Sequence, residues 1–149
     1  MLHFTMTPLS QKTRIIISGA LFSGEGKLLL LQGEDAWELP GGKLDFGESP
    51  ELGLVRCFSE TTDMDISPDR PLGAWSALET KDGVETCSIH IIYTVKNSAA
   101  MLGVQLDRSR HTAFAWLSRA DATARIALPA MREAIERAFN VLARSRKNS

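Results

Sequence analysis

Apolar residues near the start of the chain fall in two short runs, 14–22 and 27–32, both rich in branched side chains and separated by Ser23-Gly24-Glu25-Gly26. Runs of that length bounded by glycines predict two strands joined as a hairpin. After Trp37-Glu38-Leu39-Pro40, the pair Gly41-Gly42 is expected to break regular structure. Ser49-Pro50-Glu51 then carries the marks of a helix start, a capping serine, a proline in the first turn and an early acid, so a helix is predicted over about 50–61. Beyond Pro68 the pattern returns to strands, over 72–79 and 85–96, with Cys87, Ile89, Ile91 and Tyr93 on one face by alternation and a turn at Thr80-Lys81-Asp82-Gly83. A short strand is expected at 112–117. Leu128, Met131, Ile135, Phe139 and Leu142 then recur at helical spacing, predicting a C-terminal helix over 128–145 that packs on a core. The whole reads as a mixed sheet covered by helices, an α/β or α+β sandwich.

Composition narrows the class. A chain of 149 residues with 44% hydrophobic and 23% charged residues suits one globular domain over 1–149, with residues 1–12 expected to be flexible. A net charge of -1 supplies no positive field for phosphate backbones, which argues against a dedicated nucleic-acid binder. The basic C-terminal run Arg144, Arg146 and Lys147 reads as a solvated helix end. Two cysteines, Cys57 and Cys87, make no disulfide framework, and no apolar run is long enough to span a bilayer, so a cytoplasmic setting without membrane contact is expected. Association into a homodimer is left open.

The residues between Gly42 and Met64 narrow it further. Gly42, Glu48, Arg56, Phe58, Glu60 and Met64 stand at the spacing of the Nudix box: Gly, five residues, Glu, seven residues, Arg-Glu, an apolar residue, any residue, Glu-Glu, any residue, Gly, an apolar residue. The entry Trp37-Glu38-Leu39-Pro40-Gly41-Gly42, the step Gly47-Glu48-Ser49-Pro50 and the late segment from His111 to Trp116 also resemble members of that MutT-like family. The resemblance implies a mixed sheet between helices and hydrolysis of a phosphoanhydride in a nucleoside diphosphate linked to another moiety. It also implies Mg²⁺ or Mn²⁺ as cofactor and a nucleotide-like diphosphate as partner.

The chemistry explains why carboxylates matter there. Attack on phosphorus requires the charge of the diphosphate to be neutralised, and a divalent cation held by carboxylates does this while activating water. Acids at helical offsets 0, 3 and 4 project from one side of a helix and form a compact ligand cluster. Here Cys57, Thr61 and Asp63 replace Glu, Glu and Gly of the pattern, and Arg110 stands where many members have a glutamate before the late-strand His. By resemblance Glu60, Glu48 and Arg56 form the catalytic set, with Glu48 and Arg56 as an ion pair. Glu60 and Glu48 are the expected metal ligands. Asp63 joins them if the helix runs one turn longer, and is otherwise an exposed residue at a helix end. Gly41, Gly42, Phe46 and Arg110 are the expected substrate contacts, Phe46 or Trp37 by stacking. His111 is read as positional, and Cys57 as an inert, buried or half-buried thiol rather than a reactive one. The activity expected is weakened or altered, and the alternative is a nucleotide-binding sensor that has lost catalysis.

Overall fold

The computed structural model describes residues 10–97 and 103–148. Its first strand, β1 (Ser10–Ala20), runs parallel to β6 (Val84–Asn97) and antiparallel to β4 (Gly41–Lys43), while β5 (Ile66–Lys81) pairs antiparallel with β6. The order β4-β1-β6-β5 makes a four-stranded mixed sheet. A second, antiparallel sheet of three strands has the order β3-β2-β7, from β2 (Leu28–Gln32), β3 (Trp37–Glu38) and β7 (Ala113–Leu117). Among the described residues three helices complete the fold: α1 (Pro50–Thr62), α2 (Arg119–Arg125) and α3 (Pro129–Lys147).

Two apolar clusters fill the spaces between these layers. Ile17, Leu21 and Val95 meet Leu54, Cys57 and Phe58 of α1 on one side of the sheet, and Ala20 and Ile92 meet Met131, Ala134, Ile135 and Ala138 of α3 on the other. Strand β2 serves both: Leu28 and Leu30 lie in the α3 cluster, Leu29 and Leu31 in the α1 cluster, and all four are fully buried. A strand buried on both faces shows a continuous apolar run instead of alternation, which is the pattern of its sequence. The expected sandwich of a mixed sheet between helices is the fold observed.

Four local expectations are corrected. The first two strands form a hairpin only at its tip, where Phe22 bridges Leu28, and then diverge into different sheets. Gly41-Gly42 does not break regular structure but begins β4, whose Gly41 packs so close to β1 that an added Cβ would stand 2.0 Å from the Ile17 carbonyl oxygen. Strand β5 begins at Ile66 because Pro68 and Pro71 are accommodated at register shifts on a sheet edge, where no donor is needed. Residues 10–12, expected to be flexible, pair with β6, and residues 1–9 lie outside the described chain. The last helix covers Pro129–Lys147, close to the expected 128–145, and the β5–β6 turn is the two-residue Asp82-Gly83, both at positive φ as a right-twisted hairpin requires. Among the described residues no helix is long and apolar enough to cross a membrane.

Candidate functional site

Helix α1 begins as its sequence dictates. Ser49 accepts a hydrogen bond from the Leu52 backbone N–H at 3.3 Å, Pro50 fills the first turn, and Glu51 both adds charge at the N-terminus and accepts from the Tyr93 hydroxyl at 3.1 Å. The loop over residues 44–48 folds back on the helix. Gly53 lets it do so, since a Cβ there would lie 2.1 Å from Leu44 Cδ2 and 2.8 Å from Glu48 Oε1. A glycine in a helix interior costs about 1 kcal/mol against alanine, and that cost was the sequence signal for a close approach that the motif did not reveal.

Arg56 ties the loop down. Its Nε donates to Glu48 Oε2 at 2.7 Å, its Nη2 to Glu48 Oε1 and to the Lys43 carbonyl at 2.9 Å each, and its Nη1 to Glu60 Oε2 at 3.1 Å. The expected Glu48–Arg56 ion pair is therefore present as a two-pronged fork, and Glu60 is brought to the same guanidinium. Chiefly through the Arg56 hydrogen bonds, then the Asp45 backbone N–H, the Glu48 carboxyl is held down to about 2, and Glu48 in turn raises the Arg56 guanidinium further above its ordinary value.

The two replaced positions turn inward. Cys57 is buried with its Sγ under Gly42, and burial pushes its thiol up, which leaves it the inert thiol the sequence suggested. Thr61 is buried and donates its hydroxyl to the Cys57 carbonyl at 2.6 Å, so its oxygen is engaged within the helix. Asp63 does not extend the ligand face. The helix ends at Thr62, and Asp63 caps it in the left-handed region (φ 57°) with its N–H on the Ser59 carbonyl, the geometry the family's glycine adopts readily. The condition on which Asp63 would join Glu60, one more helical turn, is not met.

The segment before β7 closes over the end of α1. Gln105 N–H and Asp107 N–H donate to the Thr62 and Thr61 carbonyls at 2.9 and 3.1 Å, satisfying groups that a helix end leaves unpaired. Asp107 carries a turn in which its carboxylate accepts from the Ser109 hydroxyl and backbone, holding it below the usual carboxylate range. Arg110 lies between two acids, 3.6 Å from Asp107 and 3.9 Å from Glu60. His111 is buried and gains the partner the sequence did not show: its Nε2 is 2.7 Å from Glu38 Oε1, while its Nδ1 has no partner among the described residues. Since a carboxylate only accepts, the Nε2–H donates. Glu38 in turn borders a cleft of about 180 Å³ with Ile16, Ser18, Gly41, Gly42 and His90. Phe46 is fully exposed at the tip of the 44–48 loop. Trp37 packs against the α3 cluster with the Arg125 guanidinium 4.6 Å over its ring, so one face is already covered. Glu38 and Asp107 are the two members of the site that sequence reasoning missed.

The donors present do not fit a divalent cation of the kind expected. Such an ion takes free carboxylate oxygens. Glu60 is exposed but its Oε2 already accepts from Arg56, both Glu48 oxygens are engaged by Arg56, Cys57 and Thr61 are neutral and buried, and Asp63 lies past the helix end. No three His, Cys, Asp or Glu side chains among the described residues are grouped so as to hold one.

Comparison with known proteins places this arrangement. A "MutT-like protein" from Streptomyces ambofaciens is 30% identical over 115 residues, which is 76% of this chain and 69% of the relative. The MutT protein of Methanosarcina mazei superposes with a TM-score of 0.72 at 25% identity, over 95% of this chain and 99% of that one. An ADP-ribose pyrophosphatase from Streptococcus suis shares the fold, with a TM-score of 0.60 at 19% identity over 86% and 90% of the two chains. The NUDIX domain model matches residues 12–138, and by that match and the clamp of Glu48 on Arg56 the chain belongs to the Nudix hydrolase family.

Proposed function

We propose that this protein is a pyrophosphohydrolase of a nucleoside diphosphate linked to another moiety, with activity weakened by the loss of two box carboxylates. Nudix hydrolases in general act on such phosphoanhydrides with a divalent metal. The observation that carries the reading is the Arg56 fork, which fixes the Gly42-to-Glu48 segment against α1 and leaves Glu60 exposed beside it. Glu60 is the exposed carboxylate able to hold a water by hydrogen bonding and to take its proton as it attacks phosphorus. The cleft lined by Glu38, Gly41, Gly42 and His90 offers the organic part of the ligand a place next to the diglycine. The cation to supply in an assay is Mg²⁺ or Mn²⁺, and a reducing cytoplasmic setting suits the two free thiols.

The alternative, a nucleotide-binding sensor without turnover, is favoured by one observation: positions 57 and 61 have been absorbed into the core and the helix backbone. Phosphate or pyrophosphate release from nucleoside triphosphates, dinucleoside polyphosphates, nucleotide sugars and ADP-ribose, with each cation in turn, separates the two. Turnover that falls at least roughly a hundredfold in Glu60→Gln, the smaller end of what a positioned general base contributes, supports the hydrolase. Binding with no release in any combination overturns it in favour of the sensor.

A further inference from the structure

Charge is the quantity that the replacements alter most. Exchanging two carboxylates for Cys57 and Thr61 removes two negative charges, and a guanidinium at position 110 in place of a carboxylate removes one more and adds one positive charge. With Asp63 in place of the family's glycine subtracting one, the local change is three positive units, more than one divalent cation carries. Three glutamates without a metal would repel a phosphate chain. Here only Glu60 remains of them, and it is already paired with Arg56 at 3.1 Å.

The two arginines are not equivalent. Arg56 has four donor contacts to Glu48, Glu60 and the Lys43 carbonyl, so its fork is occupied by the protein. Arg110 is half-exposed and stands 3.6 and 3.9 Å from Asp107 and Glu60, distances of charge attraction beyond hydrogen-bond length, and among the described residues its guanidinium makes no side-chain hydrogen bond. Its position is nonetheless fixed at the base, because Arg110 N–H closes a turn on the Asp107 carbonyl and Asp107 N–H is bonded to Thr61 at the end of α1. A planar fork with unused donors, on a backbone anchored to the box helix, matches the oxygen pair of a phosphate.

We infer that Arg110 takes over the charge-neutralising role of the metal in binding, so that the protein captures a diphosphate group without a divalent cation. This rests on the diphosphate class of ligand proposed above and concerns binding only. On capture the guanidinium turns its donors from the two flanking acids to the phosphate oxygens, while Arg56 continues to hold Glu48 and Glu60. Lysine at this position keeps the charge but not the fork, and glutamate restores the family's carboxylate.

Calorimetric titration of the full chain with ADP and with inorganic pyrophosphate, in EDTA and in Mg²⁺, tests this. The expected result is binding in EDTA with an affinity within about threefold of that in Mg²⁺. Arg110→Ala weakens it by roughly tenfold to a hundredfold, the size of charge-assisted hydrogen bonds lost, Arg110→Lys weakens it less, and Arg110→Glu makes whatever binding remains dependent on Mg²⁺. Unchanged thermal unfolding of the three variants, expected because the side chain is half-exposed, shows that they remain folded. Binding that requires Mg²⁺ in the unsubstituted chain, EDTA binding indifferent to Arg110→Ala, or no binding under either condition each overturns the inference. Turnover separates the two proposals: cation-free binding without product release sinks the hydrolase and leaves this inference standing, and Mg²⁺-dependent turnover with no cation-free binding does the reverse.

Discussion

Arg56 has most of its donors engaged by the protein before any ligand arrives, and that decides what it can do. Its two-pronged contact with Glu48 needs a planar fork, which an ammonium group lacks. Arg56→Lys should therefore release the loop although charge is conserved. We expect a loss of about 1 to 3 kcal/mol, the worth of hydrogen bonds to charged groups, read by urea unfolding. A stability unchanged within error would mean that the fork holds nothing. Glu48, Arg56 and Glu60 were legible in the sequence because their partners lie within a dozen residues and the box spacing names them. Glu38 and Asp107 were not, since Glu38 finds His111 across 73 positions and Asp107 meets the Thr61 carbonyl at the α1 end from a segment far along the chain. Nothing local signals contacts of that kind.

At the scale of elements, the clamp makes the α1 junction sensitive to acid in a defined window. The Glu48 carboxyl lies at about 2 in the folded chain against an ordinary 4.5. A depressed carboxylate contributes stability that is fully present above the ordinary value and is lost as the pH falls toward the folded one. The contribution is thus intact at pH 7 and disappears between about 4.5 and 2. Glu48→Gln should lower the midpoint of thermal unfolding at pH 7 and give a flatter profile through that window, the two proteins converging near its acid end. Parallel profiles across the window would assign the acid sensitivity elsewhere. The helix itself was readable from Ser49 and Pro50, as were the long strands and α3. The two- and three-residue strands beside Pro40 and the short α2 were not, because so few residues show no periodicity. Strand β5 starts six residues before the expected Leu72, because on an edge strand Pro68 and Pro71 fall at register shifts.

The two sheets leave the β1–β2 tip in different directions, and this turns β2 into the shared inner wall of both apolar clusters. Sequence pattern showed a strand there but not its two-sided burial, because a run of four leucines is also what a buried helix segment would show. If β2 is the common wall, neighbouring leucines pointing to opposite faces must be equally indispensable. Leu29 lies with α1 and Leu30 with α3, both at 0% exposure, whereas Leu78 on the edge strand β5 is 67% exposed. Truncating a buried leucine to alanine costs about 2 to 5 kcal/mol through lost transfer energy and the cavity left behind, while a surface change away from special features stays within about 0.5 kcal/mol. Leu29→Ala and Leu30→Ala should each reach the first range in urea unfolding with little change in slope, and Leu78→Ala should remain in the second. A strand covered on one face only would split the pair, leaving one of the two inner substitutions nearly neutral, and that outcome would contradict the placement of β2 between α1 and α3.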